Sequence, residues 1–115
     1  YGYPNRSPYC ASKWAVIGFT KTLAMELGEF GVRANVICPG SINTARMDHV
    51  ISLDAEATGR SEAEIRENYY RQVSMRTFIE PEEIANMVLF LASPLAANIS
   101  GQVISVDGHT ETMRV

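Results

Sequence analysis

Tyr9 and Lys13 are the residues whose types and spacing most directly suggest chemistry in this 115-residue sequence. An α-helix would bring two residues four positions apart onto one face, about 6 Å apart along the axis. A phenol and an ammonium arranged in this way can address one bound molecule together, one as a proton donor and the other as a positive charge. The same spacing also occurs by chance on solvated helix faces, so the neighbouring residues must decide between the two interpretations.

The residues around the pair predict a long helix. Ser7 followed by Pro8 is typical of a helix start, with the serine as N-cap and the proline at the first helical position, which places Tyr9 in the first turn. Apolar residues then recur at helical spacing until Gly28 and Gly31 end the helix. The apolar stripe consists of Trp14, Ile17, Leu23 and Leu27, with Ala11, Ala15 and Ala24 between them. We therefore expect this helix to be half-buried.

A run of β-branched residues follows the helix. Residues 34–38 predict a strand buried in a parallel sheet, and Pro39-Gly40 ends it because proline cannot continue the hydrogen-bond ladder and glycine permits an unusual turn. Open α/β sheets bind their ligands at the carboxyl ends of the strands. The loop from Pro39 to Thr44 is therefore a candidate binding edge.

The second half of the sequence predicts two helices and one more strand. Ser61-x-x-Glu64 is typical of a capping box and opens a helix through about Val73. Residues 81–92 predict a helix with apolar residues at i, i+3, i+4 and i+7, and residues 102–106 predict a strand. A helix between parallel strands makes a right-handed crossover, which favours a doubly wound α/β sheet.

Several sequence segments occur in an order that is typical of one protein family. They are Tyr9-x-x-x-Lys13, Met25-Glu26-Leu27-Gly28, and the segments 32–44, 79–85, 89–93 and 100–108. In this order they resemble the short-chain dehydrogenase/reductase family, and they leave unmatched mainly the stretch from about Arg46 to Arg76. The resemblance implies an α/β fold, namely the C-terminal part of a doubly wound, parallel-sheet Rossmann-type domain.

The resemblance implies catalytic roles for the opening pair. Tyr9 would protonate a carbonyl oxygen as hydride arrives, or remove the alcohol proton in the reverse direction. Free tyrosine titrates near pH 10, and a nearby cation favours the phenolate. Lys13 would supply that cation and would also hydrogen-bond the hydroxyls of the nicotinamide ribose.

The resemblance also implies a cofactor site for NAD or NADP. Pro39 and Gly40 would let the backbone run close to the nicotinamide ring, and Ile42 and Thr44 would contact its carboxamide, so that the cofactor site comprises these four residues with Tyr9 and Lys13. The glycine-rich turn of the family and the residue that chooses between NAD and NADP are absent from this sequence. The catalytic serine and an upstream asparagine of the family are absent as well. Ser7 and Ser12 do not align with that serine.

These absences predict that residues 1–115 are the C-terminal half of one NAD(P)-binding Rossmann-type domain. Two parallel strands with their helices would leave a sheet edge open and an apolar face uncovered, so we expect the chain expressed alone to aggregate or to dimerise through that edge. The ending Asp107-Gly108-His109 departs from the second glycine that is more usual in the family.

Residues 43–80 correspond to the insertion that forms a mobile substrate loop, or lid, in the family. Its larger apolar side chains either line a substrate pocket or pack the lid onto the body of the domain. They are Met47, Val50, Ile51, Tyr69, Tyr70 and Met75. The substrate itself is not predicted beyond a small-molecule carbonyl compound or alcohol.

The amino-acid composition limits the kinds of binding partner that we expect. The formal net charge is −3, and scattered acids and bases predict neither nucleic-acid binding nor attachment to a membrane surface. Cys10, Cys38, His49 and His109 stand apart from one another, so no metal site is expected. Members of the family usually form dimers or tetramers, with Trp14 and Phe90 as candidate contacts here, and we expect a cytoplasmic homodimer or homotetramer.

The leading functional hypothesis is an oxidoreductase that transfers hydride between NAD(P) and a carbonyl compound or secondary alcohol. One alternative is a sugar epimerase or dehydratase of the extended branch, which uses the same tyrosine and lysine on a larger scaffold. Another is a non-catalytic member that kept the fold for nucleotide binding or structure. The pair Tyr9 and Lys13, together with the loop from Pro39 to Thr44, favours the enzyme over the last alternative.

Overall fold

The computed structural model describes residues 2–110 and shows four α-helices and one two-stranded parallel sheet in that range. The elements are α1 (Ser7–Leu27), β1 (Val36–Pro39), α2 (Ala45–Thr58), α3 (Glu62–Arg71), α4 (Pro81–Ala92) and β2 (Val103–Val106), with short 3₁₀ turns at Gly28–Phe30 and Pro94–Ala96. In the sheet, Val36 pairs with Val103 and Pro39 with Val106. The α/β class and the parallel pairing are confirmed. Within the described residues, no helix is both long and apolar enough to cross a bilayer.

The start of α1 differs by one residue from the prediction. A turn in which the Arg6 amide donates to the Tyr3 carbonyl (3.2 Å) sets the helix boundary, and the Arg6 carbonyl then accepts from the Cys10 amide (2.9 Å). Arg6 is therefore the N-cap, and Ser7 is already helical and caps nothing with its side chain. Pro8 still lies in the first turn, where its missing N–H costs no hydrogen bond.

The expectation of a half-buried α1 is met in part: Ile17, Leu23, Ala24 and Leu27 are half-buried, but none of the residues of α1 is fully buried. Trp14 is 57 % exposed and Met25 is 84 % exposed. The helix meets the rest of the chain beside β1 and near Gly101, whose carbonyl accepts a hydrogen bond from Lys21 Nζ (3.1 Å). A two-stranded sheet is too narrow to cover a helix of this length.

Strand β1 includes Pro39, which the sequence pattern places after the strand. The amides of Val36 and Gly40 donate to the carbonyls of Gln102 and Val106, at 3.0 and 2.9 Å. Since backbone groups alternate in direction along a strand, the nitrogen of Pro39 faces the edge opposite β2. Its missing N–H therefore removes no bond from the ladder.

Residues 43–80 hold two packed helices, α2 and α3, of which the sequence predicts only α3. Thr44 is the N-cap of helix α2, and its Oγ1 accepts a hydrogen bond from the Met47 amide (3.4 Å). The apolar residues of α2 that join the core recur at every fourth position, a stripe too narrow to stand out from a mixed sequence. They are Met47, Ile51 and Ala55.

Helix α3 confirms the capping box. The Ser61 amide donates to Glu64 Oε2 (2.9 Å), and the Glu64 amide donates to Ser61 Oγ (3.3 Å). The Ser61 hydroxyl also donates to Glu64 Oε2 (2.9 Å), and the bonds that this carboxylate accepts from the amide and then from the hydroxyl of Ser61 lower the pKa of Glu64. The helix ends at Arg71, two residues before the predicted end, whereas α4 spans residues 81–92 as predicted.

A hydrophobic core lies between α2 and α3. Its buried members are Ile51, Ala55, Ile65, Tyr69 and Phe78, with Met47 and Tyr70 packed against them. Phe78 meets the ring of Tyr69 edge-on, with centroids 6.3 Å apart. Four of the six residues considered for a substrate pocket thus fill the lid's own core, and Met75 is 71 % exposed.

The two ends of the lid lie side by side. The Ile79 amide donates to the Ser41 carbonyl (2.9 Å), and the Asn43 amide donates to the Ile79 carbonyl (2.8 Å). The Asn43 side-chain amide also donates to Glu80 Oε1 (2.8 Å). Residues 43–80 therefore leave and rejoin the body at adjacent points, the limits that the sequence predicts for the lid. Its role as a lid remains a prediction.

The segment after β2 holds the lid from the other side. The amides of Ser74 and Met75 donate to the carbonyls of His109 and Gly108, at 3.0 and 3.1 Å. Gly108 and His109 have φ angles of 63° and 64°, in the left-handed region that favours glycine. In the family a second glycine is more usual at the position of His109, and the left-handed backbone conformation there explains that preference. In its place, His109 Nδ1 lies 2.7 Å from Ser74 Oγ.

Replacing Gly108 by alanine is expected to weaken this attachment, because a Cβ there would lie 2.8 Å from Val73 Cγ1. Gly59→Ala is the matched control, since Gly59 has a φ of 69° but a Cβ added to it would meet no atom within 4 Å. Both variants lose about 1 kcal/mol to left-handed strain, and Gly108→Ala loses about 1–3 kcal/mol more to overpacking. Denaturant unfolding of the full-length protein measures the difference, and equal losses would contradict the close packing.

Candidate active site

Tyr9 and Lys13 lie together at the start of α1, as predicted. Lys13 Nζ is 5.4 Å from the centroid of the Tyr9 ring, and Tyr9 is 55 % exposed. Among residues 2–110, neither the Tyr9 hydroxyl nor the Lys13 ammonium is engaged in a hydrogen bond or salt bridge. Ser12 Oγ donates to the Tyr9 backbone carbonyl (2.7 Å), which leaves the phenol hydroxyl untouched. Both functional groups are therefore available to a bound molecule.

The loop from Pro39 to Thr44 begins at the carboxyl end of β1, also as predicted. A Cβ added to Gly40 would lie 2.8 Å from Asp107 Cα and 3.1 Å from the Asp107 carbonyl oxygen. The missing side chain of Gly40 thus lets two backbone segments touch at the ends of the paired strands. The contact with Asp107 therefore explains why residue 40 is a glycine without reference to the cofactor, which the family resemblance places at the same position.

Ile42 and Thr44 have structural partners of their own. Ile42 pairs with Ile79 in an isolated parallel bridge. Thr44 Oγ1 caps α2 and lies 3.4 Å from the Ile42 carbonyl, to which it donates. A hydroxyl has one proton and two lone pairs, so the cap leaves an acceptor position on Thr44. Contact of these residues with a nicotinamide carboxamide remains a prediction.

The six predicted site residues form two groups. Tyr9 and Lys13 share the first turns of α1, while Pro39, Gly40, Ile42 and Thr44 share one loop. Helix α1 contacts β1, so the helix that carries the first group runs beside the strand that ends in the second. Within residues 2–110, no hydrogen bond joins the two groups directly.

Asp107 is the neighbour that sequence reasoning missed. The parallel register places Pro39 beside Val106, so the residues that follow, Gly40 and Asp107, come next to each other. Two strands that each end in a glycine-containing turn were visible in the sequence, but their relative register was not. Asp107 Oδ1 accepts a hydrogen bond from the His109 amide (2.9 Å) and so also shapes the turn after β2.

Comparison with known proteins supports the family resemblance that the order of motifs indicates. A family model described as enoyl-(acyl carrier protein) reductase matches residues 1–109. A diacetyl reductase of Staphylococcus aureus, (S)-acetoin forming, is 36 % identical over 107 residues, which are 93 % of this chain and 42 % of the relative.

Solved structures of related proteins have the same fold. A short-chain dehydrogenase family protein of Francisella tularensis superposes with a TM-score of 0.87 at 32 % identity, over 93 % of this chain and 44 % of its own. A variant of actinorhodin polyketide ketoreductase with NADPH gives a TM-score of 0.86 at 33 % identity, over 94 % and 41 %.

The family model and the solved structures place the chain in a class of dehydrogenases and reductases with a parallel α/β fold. The chain belongs to the short-chain dehydrogenase/reductase family. It spans less than half the length of the relatives it matches. The Rossmann-type fold predicted from the sequence is thereby confirmed.

The contact between Gly40 and Asp107 can be tested by Gly40→Ala, which would force the two backbones apart. We expect it to lower the free energy of unfolding of the full-length protein by about 1–3 kcal/mol. Gly28→Ala is the control, because Gly28 has a helical φ of −59° and open space around it, and it is expected to be neutral or to stabilise by about 0.5 kcal/mol. A neutral Gly40→Ala would refute the contact.

Proposed function

We propose that the protein is an NAD(P)-dependent oxidoreductase that transfers hydride between the nicotinamide and a carbonyl compound or secondary alcohol. The observation that carries the proposal is the Lys13 ammonium above the Tyr9 ring, with both polar groups unengaged within residues 2–110. The matched proteins support the reaction class, since one is named as a diacetyl reductase and another as a ketoreductase with NADPH.

Tyr9 is the proton donor in this proposal. In the reducing direction its hydroxyl gives a proton to the carbonyl oxygen, and the resulting phenolate is stabilised by the positive charge of Lys13. In the oxidising direction the phenolate takes the proton of the alcohol. The bound nicotinamide supplies or accepts the hydride.

Lys13 has a second role, which is to hold the cofactor. Its ammonium offers three N–H donors and is exposed on the helix, so it suits the hydroxyls of the nicotinamide ribose. The loop from Pro39 to Thr44 suits the ring: Pro39 is exposed and lacks an N–H, and Thr44 keeps an acceptor for the carboxamide. Residues 43–80 form the substrate lid in this proposal.

A homodimer or homotetramer in the cytoplasm completes the proposal. The uncovered apolar side chains of α1 and α4 support it, since Trp14 and Phe19 are 57 % and 64 % exposed and Phe90 is 40 % exposed. Large apolar side chains exposed in this way are candidates for an interaction site.

Tyr9→Phe tests the proton donor. In the full-length protein we expect kcat to fall at least about 100-fold, the usual contribution of a positioned acid, while the Kd for the nicotinamide cofactor changes little. Ser12→Ala is the control, because it removes another hydroxyl from the same helix turn and should keep kcat. Retained turnover in Tyr9→Phe would exclude the proposed acid.

Lys13→Met tests the cation. Removing charge-assisted bonds should raise the Kd for the cofactor about 10- to 100-fold and also lower kcat. Lys21→Met is the matched control on the same helix, since Lys21 donates to the Gly101 carbonyl and should affect neither value. Cofactor fluorescence titration measures the Kd, and equal values for both variants would contradict the assignment.

A further inference from the structure

Arg66 lies on α3 and contacts residues near both ends of the segment 43–80. Its guanidinium donates to Asp48 Oδ1, in the first turn of α2. The same guanidinium lies over the ring of Phe78, with Cζ 5.3 Å from the ring centroid. Asp48 follows the start of the segment and Phe78 precedes its end. One side chain therefore bridges the two places where the segment leaves and rejoins the body of the domain.

The contact with Asp48 acts on Thr44. The Thr44 carbonyl accepts hydrogen bonds from the amides of Met47 and Asp48, at 2.8 and 3.1 Å. These bonds, together with the cap, fix the first turn of α2 to Thr44. A guanidinium that holds the Asp48 side chain therefore restrains a residue that belongs to the proposed cofactor site.

The contact with Phe78 acts on the same loop from the other side. Phe78 is buried and precedes Ile79, whose amide donates to the Ser41 carbonyl (2.9 Å) and whose carbonyl accepts from the Asn43 amide (2.8 Å). A cation over an aromatic face is attractive. Arg66 thus also restrains the segment that pairs with residues 41–43.

The two contacts of Arg66 support each other. An exposed ion pair usually contributes little, because two long side chains must be held in one geometry. The Arg66 side chain is 33 % exposed, and the ring of Phe78 already orders its guanidinium, which is planar and carries its N–H donors at the edge. The ion pair with Asp48 therefore requires less additional ordering than a pair between two free side chains.

We propose that Arg66 is a positioning residue that holds Thr44 and the loop before it in the geometry that receives the nicotinamide end of the cofactor. The inference rests on the proposed function, in which this loop contacts the nicotinamide ring and its carboxamide. Arg66 acts through Asp48 and Phe78 and does not itself touch the cofactor. Loss of its guanidinium leaves Tyr9 and Lys13 in place, so cofactor binding weakens while proton transfer at saturating cofactor does not.

Arg71 provides the matched control. It lies on the same helix, and its Nε donates to Glu67 Oε1 at 3.1 Å. Both side chains of this pair are exposed, and the pair lies within one turn of α3. Arg71→Met therefore removes an equal charge and an ion pair from α3 while leaving the contacts of Arg66 in place.

Cofactor titration of the full-length protein tests the role of Arg66. Arg66→Met should raise the Kd for NADH or NADPH about 3- to 5-fold, the scale of one ion pair, with kcat at saturating cofactor nearly unchanged. A purely structural role would instead lower the active fraction, and with it kcat, at an unchanged Kd. Arg71→Met should change neither value. An unchanged Kd in Arg66→Met, or an equal rise in Arg71→Met, would overturn the proposal.

Asp48→Asn tests the same link from its other end. Asp48 is exposed, and the replacement keeps the side-chain volume while removing the charge, so this variant should fold and should also raise the cofactor Kd. The double variant with Arg66→Met should raise Kd by less than the product of the two single effects, because both substitutions break one interaction. Single effects that multiply in full would show that the two residues act separately and would contradict the proposal.

Amide hydrogen exchange tests the restraint without any cofactor. Exchange of the Asn43, Met47 and Asp48 amides should be faster in Arg66→Met than in the wild type or in Arg71→Met. Unchanged exchange would refute the restraint even if the Kd rises. If the full-length protein binds neither NADH nor NADPH, the proposed function fails, while the exchange result still decides whether Arg66 holds the loop.

Discussion

The contact of Gly40 with Asp107 is the constraint on which the rest of this structure depends. It lets the backbones that follow the two strands meet without a side chain between them. Each of these segments then holds one part of the lid: the residues after Gly40 pair with Ile79, and the residues after Asp107 pair with Ser74 and Met75. A side chain at Gly40 would separate the strand ends and thereby disturb both attachments.

The chain is stabilised in two different ways. The lid has a hydrophobic core of its own, in which Ile51 is 1 % exposed, whereas no residue of α1 is buried. The sheet is held by backbone hydrogen bonds and by side-chain bonds such as that from Asn35 Nδ2 to the Ile99 carbonyl (2.8 Å). The cluster that joins α2 to α3 lies within residues 43–80 and favours motion of this segment as one body between its attachments, rather than separate motion of its helices.

Sequence patterns predicted the features that depend on local chemistry. The capping box of Ser61 and Glu64 and the spacing of Tyr9 and Lys13 follow from neighbours within four positions, and both were found. The N-cap was placed at Ser7 because proline follows it, but a turn closed by the Tyr3 carbonyl moves the boundary to Arg6. Helix α2 and the contact of Gly40 with Asp107 depend on long-range packing and strand register, which local patterns do not contain.

Thr44 connects the loop after β1 to the two packed helices of residues 43–80. Its hydroxyl caps α2, the helix that carries Asp54, and Asp54 holds the hydroxyl of Tyr69. A cofactor group that accepts or donates at Thr44 would compete with or reinforce this cap, because a hydroxyl has few positions to share. Binding at the loop after β1 would then be felt in the packing of α2 against α3, since the cap and the bond from Tyr69 to Asp54 both act on α2.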